Sequence, residues 1–398
     1  MTRSFRVVAV ATLLLGTALP FSAVAQETGE APSCRPTGPF AEMDYRSVEP
    51  LEDGRVTFRL CAPEADNVRV TSNDLDPAVP AGFGGGERGL AMVQDASGLW
   101  SATTALPVAP DTYRFNFEVD GQRVPDPMAT TFSRERTGVN STLEVPGAEG
   151  AFQTYDPAVD HGAVTRIEYW SEALGAKREA YVYTPPGYMA DTDRYPVLYL
   201  VHGAGDSADS WTSVGHANYI ADNLLAAGAI EPMIIVMPFG HTPPRAQADM
   251  LVNDDFGSDL IDALIPFVDA SFRTLADSDH RAMAGLSMGG AHTLNFGVPR
   301  PDLFGEVGVF SMGLGFRSPA EVEQYRERHA DGLRMRAEAA EPVYYAMGTD
   351  DFLYGSAAPT LDLLEQQGIE THYNESEGGH TWTNWRRYLH DFLPRLFR

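Results

Sequence analysis

The chain has 398 residues, enough for two domains, and its 43% apolar and 21% charged residues are typical of a globular protein. It carries 55 acidic against 29 basic side chains, a formal net charge of −26. Such a surface repels nucleic acid and anionic lipid, so the composition excludes nucleic-acid binding and suits a neutral polymer or a small ester. Solubility alone also explains the charge, and we prefer this explanation.

The first 25 residues have the pattern of a secretory signal peptide. Arg3 and Arg6 form a basic start, residues 7–15 are apolar, and residues 23–25 are a small-residue cleavage site. The apolar run is too short for a membrane anchor, and no later stretch is long enough to span a bilayer. We therefore expect a secreted or periplasmic protein without a membrane span, beginning with a tail at residues 26–44.

Only two cysteines are present, Cys34 and Cys61. In an oxidising compartment they can form one disulfide between the tail and the first domain. Two free thiols are the alternative, and the spacing does not decide between them.

Short strands separated by turns are predicted over residues 45–146. Residues 55–60 and 112–119 alternate in polarity, and Asp120-Gly121 is a strong hairpin turn. About a hundred residues of this pattern predict a β-sandwich. The alternating aromatic residues are interpreted as core, with a sugar-stacking platform as the alternative: Trp100, Tyr113, Phe115 and Phe117.

Three segments of this region, residues 58–65, 119–121 and 126–127, resemble the immunoglobulin-like modules that precede many carbohydrate-active enzymes. The resemblance implies an immunoglobulin-like domain at residues 45–146. Such modules often only support the catalytic domain, so the sequence does not decide whether this one binds glycan.

After a linker at about residues 146–160, strands alternate with helices up to residue 398. Residues 195–201 and 233–237 are typical of buried strands, and residues 258–272 have helical apolar spacing. This alternation predicts an α/β domain with a mostly parallel sheet and helices on both faces. The Arg- and Glu-rich residues 321–341 predict a solvated helix, with a lid as the alternative.

The segment Gly285-Leu286-Ser287-Met288-Gly289 matches the G-x-S-x-G pattern of a nucleophile elbow, between a short apolar strand and a predicted helix start. The tight turn excludes side chains at both glycines and holds the serine in a strained conformation. We therefore predict that Ser287 is a nucleophile; an ordinary glycine-rich turn is the alternative.

A serine hydroxyl needs a neighbouring base, which in turn needs an orienting carboxylate. In the α/β-hydrolase order of Ser, Asp or Glu, then His, the base follows the last strand, where His380 stands. The acid follows the preceding strand, and there Asp350 and Asp351 are both candidates. The predicted oxyanion donors are the backbone N–H groups of Met288 and Ala204.

Other residues have weaker signals. Trp211 is a candidate for lining the substrate pocket, with packing as the alternative, and His292 is interpreted as structural. The sequence shows no clustered metal ligands, so neither a metal nor a cofactor is expected. The oligomeric state is not predicted.

The chain resembles secreted esterases of carbohydrate esterase family one, densely over residues 160–398. The residues that carry the resemblance are 161–169, 181–188, 195–205, 232–238, 285–290, 378–382, Trp385 and Arg386. That family includes feruloyl and acetyl xylan esterases, and enterochelin-type esterases and mycolyltransferases share its fold. The resemblance implies an α/β-hydrolase domain at residues 160–398. Its Gly-x-x-Asp pattern before a hydrophobic pair implies that Asp351 is the acid.

The function implied by the resemblance is a secreted serine esterase acting on feruloyl or acetyl esters of a xylan-type polysaccharide. A siderophore esterase or a mycolyltransferase-like acyltransferase would use the same residues. A third alternative, from a different class, is a carbohydrate-binding protein on an inactive hydrolase scaffold.

Overall fold

The structure is a computed structural model that describes residues 33–38, 40–82, 85–242, 253–315, 317–339 and 341–398. The predicted signal peptide, residues 1–25, and the start of the predicted tail, residues 26–32, lie outside the described residues. In the part of the chain that is described, no helix combines the length and apolar character needed to cross a membrane.

The N-terminal part consists of two antiparallel sheets. In spatial order, the first contains β1 (Val48–Pro50), β2 (Val56–Cys61), β6 (Leu99–Thr103) and β5 (Val93–Gln94). The second contains β4 (Leu90–Ala91), β3 (Val68–Thr71), β7 (Asp111–Val119), β10 (Gly138–Val145) and β9 (Phe132–Glu135), and β8 (Gln122–Val124) also pairs with β7.

The two sheets enclose a shared apolar core, as expected when alternate side chains of each strand point inward. The four aromatic residues Trp100, Tyr113, Phe115 and Phe117 are all buried in it, so the sugar-platform alternative is wrong for them. Cys34 and Cys61 are joined by a disulfide at the end of β2. The immunoglobulin-like assignment and the domain boundaries stay predictions.

A third sheet forms the centre of the C-terminal part, and eight strands of it lie in the described residues. In spatial order they are β11 (Ala163–Ser171), β12 (Ala176–Thr184), β14 (Ile234–Pro238), β13 (Val197–Val201), β15 (Arg281–Leu286), β16 (Glu306–Phe310), β17 (Val343–Gly348) and β18 (Thr371–Ser376). β12 is antiparallel to both its neighbours, and every pair from β14 to β18 is parallel. The carboxyl ends of the parallel strands therefore meet at one edge.

Helices cover both faces of this sheet. They are α1 (Ser210–Ser213), α2 (Ala217–Ala226), α3 (Asp254–Ser258), α4 (Ile265–Ser271), α5 (Met288–His292), α6 (Pro319–Ala337), α7 (Ala357–Gln366) and α8 (Trp382–Phe392). π-Helical turns join α3 to α4 over Asp259–Leu264 and continue α5 over Thr293–Gly297. Short 3₁₀ turns lie at Ala148–Gln153, Ser278–His280, Tyr354–Ser356 and Leu393–Arg395.

The six inner strands of the central sheet, from β12 to β17, divide their side chains between two cores. In β13, Leu198 and Leu200 pack on the side of α2 and α8, whereas Tyr199 and Val201 pack on the side of α3 and α4. Apolar residues on both faces explain why this strand is an unbroken apolar run in the sequence.

The N-terminal sheets and the C-terminal part are joined by a buried arginine of α8. The Arg386 side chain is fully buried, and its guanidinium donates to Asp111 Oδ1 at the start of β7 (2.5 Å) and to the Thr112 carbonyl (2.9 Å). It also donates to the Val214 carbonyl at 2.6 Å. A single cation thus ties the N-terminal sheets to two segments of the C-terminal part.

Candidate active site

The predicted nucleophile stands at a strained turn between β15 and α5. Ser287 has φ 50° and ψ −116°, a conformation that costs a non-glycine residue about 1–3 kcal/mol. A Cβ on Gly285 would lie 2.4 Å from the Gly289 carbonyl carbon, and one on Gly289 would lie 2.3 Å from the Val201 oxygen. Only glycine fits at both positions, which is the reason for the pattern in the sequence.

The two predicted oxyanion donors belong to the first residue of α5 and to the loop after β13. Met288 is the first residue of α5, so its N–H has no acceptor in a preceding helical turn. A Cβ on Gly203 would lie 2.7 Å from Leu286 Cδ1 and 3.5 Å from Ser287 Cβ, so the residue before Ala204 lies beside the nucleophile. The oxyanion roles of Met288 and Ala204 stay predictions.

The predicted base is held by one carboxylate. His380 Nδ1 lies 2.9 Å from Asp351 Oδ2 and 3.0 Å from Oδ1. The Asp351 side chain is fully buried and accepts a hydrogen bond from Leu353 N at 2.8 Å, whereas Asp350 is exposed. Because Asp351 occupies Nδ1, the neutral ring keeps its proton there and presents Nε2 as the acceptor.

A series of contacts connects the predicted base to the predicted nucleophile. The His380 ring packs edge-on against Trp385, with ring centroids 5.0 Å apart, and Trp385 Nε1 donates to Ser311 Oγ at 2.9 Å. The residue before Ser311 is Phe310, whose carbonyl accepts from Ser287 N at 2.9 Å. Ser287 and His380 therefore lie at the same edge of the sheet, where the parallel strands end.

One large apolar side chain is exposed beside the base. The Phe352 ring lies 4.4 Å from the His380 ring between centroids, and Phe352 is 77% exposed. Single exposed apolar residues are common, but this one lies against the ring of the predicted base.

Two buried histidines fix the backbone next to the elbow. The ring of His202 donates from Nδ1 to the Gly203 carbonyl (2.8 Å) and accepts at Nε2 from Gly240 N (2.9 Å). His292 Nε2 donates to the Gly240 carbonyl at 3.1 Å. Burial lowers the pKa of His202 to about 4 and that of His292 to about 3, so both are neutral at pH 7. His292 is structural in this arrangement, and the bridging position of His202 has no signal in the sequence.

The predicted substrate contact of Trp211 is wrong. Its side chain is fully buried in the core between the central sheet and α8, with its ring centroid 5.1 Å from that of Trp382. α1 turns the indole inward, so packing is its role.

A contact from the N-terminal sheets reaches the loop that carries Ala204. Arg114 of β7 donates from Nη1 to Asp206 Oδ1 at 2.7 Å, across 92 positions of sequence. The backbone of Arg136, next to β9, donates to the Gly205 carbonyl at 3.0 Å. Sequence reasoning misses both contacts because neither residue belongs to a motif.

Among the described residues, no group of three or more His, Cys, Asp or Glu side chains is arranged to hold a metal ion. A cavity of about 560 Å³ opens elsewhere, and it is lined by residues such as Glu306, Tyr344 and His372. None of the candidate site residues lines it, so it is not part of this site.

Comparison with known proteins agrees with this fold. The family described as "Putative esterase" matches residues 171–396. An endo-1,4-beta-xylanase/feruloyl esterase of Xylanibacter ruminicola is 32% identical over 353 residues, which are 87% of this chain and 45% of that protein. The chain thus spans less than half the length of that relative.

Two solved structures are similar to this chain but differ in sequence identity and in the share of the chain that they cover. A CE1 ferulic acid esterase of Anaeromyces mucronatus, in complex with ferulic acid, is 25% identical with a TM-score of 0.54, covering 62% of this chain and 94% of its own. The enterobactin esterase of Shigella flexneri is 19% identical with a TM-score of 0.62, covering 87% of this chain and 94% of its own. The second similarity shows the fold alone.

The fold and the family match together define a carboxylic ester hydrolase domain of the α/β-hydrolase class. The chain belongs to the esterase family whose description is "Putative esterase".

Proposed function

We propose that this protein is an exported serine esterase that hydrolyses carbohydrate-linked esters, with feruloyl or acetyl groups of a xylan-type polysaccharide as the substrate class. The observation that carries the proposal is the buried Asp351–His380 pair, 2.9 Å apart, at the sheet edge where Ser287 stands on its strained turn. Export rests on the signal-peptide pattern of residues 1–25.

In the proposed mechanism, His380 Nε2 takes the proton of Ser287 Oγ as the oxygen attacks the ester carbonyl. Asp351 keeps the proton of neutral His380 on Nδ1 and stabilises the imidazolium that forms. The N–H groups of Met288 and Ala204 bind the oxyanion, and each such donor stabilises the transition state by about 2.7–4 kcal/mol. His380 then protonates the leaving alcohol, and water repeats the sequence on the acyl-enzyme.

Two observations support a carbohydrate-linked ester. The Xylanibacter relative and the Anaeromyces structure are named for feruloyl esters. In addition, the exposed ring of Phe352 lies beside the ring of His380, the residue that would protonate the leaving alcohol. An exposed aromatic ring beside the base can stack on the sugar of a carbohydrate leaving group.

The second candidate is a siderophore ester of the enterochelin type. It is favoured by the Shigella similarity, which covers 87% of this chain and therefore extends into the N-terminal sheets. A panel of methyl ferulate, feruloylated arabinoxylan oligosaccharide, acetylated xylan and enterobactin separates the candidates. The proposal expects turnover of the feruloyl or acetyl carbohydrate esters, and turnover of enterobactin alone would replace it with the second candidate.

Replacing the nucleophile tests the mechanism. In Ser287→Ala no Oγ is available for acylation, so turnover of p-nitrophenyl acetate should fall by on the order of 10⁴–10⁶-fold. The melting temperature should stay near that of the wild type. A matched control is Ser101→Ala, which removes an exposed hydroxyl from β6 and should leave turnover unchanged.

Turnover that persists in purified Ser287→Ala would contradict the proposal. A fluorophosphonate that fails to label Ser287 in the wild type, together with binding of xylan, would favour the binding-protein alternative. Adding a sugar acceptor and analysing the products distinguishes hydrolysis from acyl transfer.

A further inference from the structure

The loop that carries Ala204 is held from outside the C-terminal part of the chain. Its backbone joins β9 through an antiparallel bridge between Glu135 and Asp206, and Arg136 N donates to the Gly205 carbonyl at 3.0 Å. The residues beside a predicted oxyanion donor thus extend a sheet of the N-terminal part.

A buried arginine of that same sheet adds a side-chain link. Arg114 Nη1 lies 2.7 Å from Asp206 Oδ1, and Arg114 Nε lies 3.0 Å from Asp74 Oδ2. The three side chains are 12%, 7% and 7% exposed for Arg114, Asp74 and Asp206. Burial opposes the charge of Arg114, but the two carboxylates outweigh it and raise the pKa of the guanidinium. The group is therefore a permanent cation bridging an N-terminal loop and the Ala204 loop.

The same guanidinium lies near the segment that carries the base. Its central carbon is 5.8 Å from the centroid of Trp382, the first residue of α8, two positions after His380. Arg114 thus lies between the Ala204 loop and the helix that follows His380.

Stability alone is a poor reason for this arrangement. The desolvation of a buried ion pair offsets most of its Coulomb attraction, so an apolar replacement of the whole pair often preserves stability. Orientation is a better reason, because an oxyanion donor acts only within about 2.7–3.1 Å of the oxygen. A displacement of about 1 Å at such a position can cost on the order of 100-fold in rate.

We propose that Arg114 is a positioning residue of the active site, which acts through Asp206 to hold the Ala204 N–H at the oxyanion. The inference rests on the proposed function and adds that the N-terminal sheets are part of the catalytic apparatus rather than only a support. Arg114 touches no substrate in this role.

The test compares two arginines of the same interface. Arg114→Met removes the link to Asp206, and Arg134→Met is the matched control. The Arg134 side chain is 45% exposed and ends on Glu179, 2.7 Å away, rather than on the Ala204 loop. We expect kcat for p-nitrophenyl acetate to fall about 10- to 100-fold in Arg114→Met with KM within about twofold. Arg134→Met should behave as the wild type.

Loss of one partner of a buried pair destabilises a protein, so a lower rate in Arg114→Met could reflect unfolding. A second variant distinguishes this effect from a loss of positioning. Asp206→Asn keeps the shape of the side chain and should lower kcat in the same direction. If Arg114 acts through Asp206, the double variant should be hardly slower than Arg114→Met alone. All rates are measured well below each variant's melting temperature and are corrected for the folded fraction.

A transition-state readout separates positioning from a structural role. An aryl trifluoromethyl ketone forms an oxyanion with the serine, so its inhibition constant should rise in parallel with the loss of kcat/KM. The inference is overturned if Arg114→Met keeps wild-type kcat, if the two substitutions are additive, or if the ketone binds both proteins equally. Failure of the proposed function is a separate result, namely turnover in Ser287→Ala.

Discussion

Two adjacent aspartates, Asp350 and Asp351, have opposite surroundings although their chemistry is the same. The Asp351 side chain is fully buried against His380, while Asp350 is exposed. The turn decides between them, since Asp351 N donates to the Gly348 carbonyl (3.1 Å) and Asp350 N to the Gly378 carbonyl (3.0 Å). Residue spacing alone could not separate two neighbours of one type, and the preference for Asp351 came from the resemblance.

This contrast provides a matched pair of substitutions. In Asp351→Asn, the amide no longer favours the required His380 tautomer, so kcat should fall by about 10³–10⁴-fold. Asp350→Asn makes the same chemical change one position away and should retain at least about half the wild-type kcat. Steady-state hydrolysis of p-nitrophenyl acetate measures both. Comparable losses in the two variants would contradict the role of Asp351.

The elements around the site could be predicted where their patterns are local. The unbroken apolar runs correctly predicted β13 and β14, and the glycines predicted the turn after β15. The helix after that turn begins at Met288, directly after the predicted nucleophile. Gly289 and Gly290 are poor helix formers, but close packing of α5 on Val201 and Met312 requires them.

The charged sequence of α6 does not reveal which of its side chains are buried. Its Arg- and Glu-rich sequence predicted a solvated helix, yet Tyr325, Leu333 and Arg336 are buried. The Arg336 guanidinium donates to four backbone carbonyls, those of Gly297, Val298, Phe304 and Gly305. No local pattern distinguishes an arginine that satisfies distant carbonyls from one in water.

Glu306, at the start of β16, is the basis of a prediction about pH and stability. Burial raises its pKa from 4.5 to about 7, and its Oε2 has no hydrogen-bond partner among the described residues. Folding therefore favours the protonated form, a contribution that is complete below about pH 4.5 and is lost as pH rises through 7. Glu306→Gln should gain on the order of 1–2 kcal/mol of stability relative to the wild type between pH 5 and 8.

Urea unfolding at several pH values measures this difference. Glu365→Gln on α7 is the control, because Glu365 is exposed and the same substitution there should give no pH-dependent gain. A constant difference between wild type and Glu306→Gln across this range would show that Glu306 ionises normally.

At the scale of the molecule, the sequence predicted the two halves separately but did not predict the contacts between them. The change from strands to strand–helix alternation marks the division in the sequence. The contacts across it join residues far apart, 92 positions for Arg114 and Asp206 and 275 for Arg386 and Asp111. Such pairs depend on the packing of complete layers, which no window of sequence contains.

Separating the halves should therefore be costly. A fragment of residues 163–398 would lose Asp111 and the Thr112 carbonyl as partners of Arg386, and the part of α8 that packs on β7 would be exposed to water. We expect the fragment to melt roughly 5–15 °C below the whole protein in a thermal scan. An unchanged melting temperature would mean that the interface contributes little.

The Arg386–Asp111 pair also bears on how such enzymes can be recombined. A chimera can take its catalytic half from this chain and its N-terminal module from another protein. It then contains Arg386 but not Asp111. Unless the donor supplies a carboxylate there, the crossover brings in a folding defect along with the new module. A chimera should therefore take β7 together with the catalytic half, and the predicted linker is a poor position for the junction.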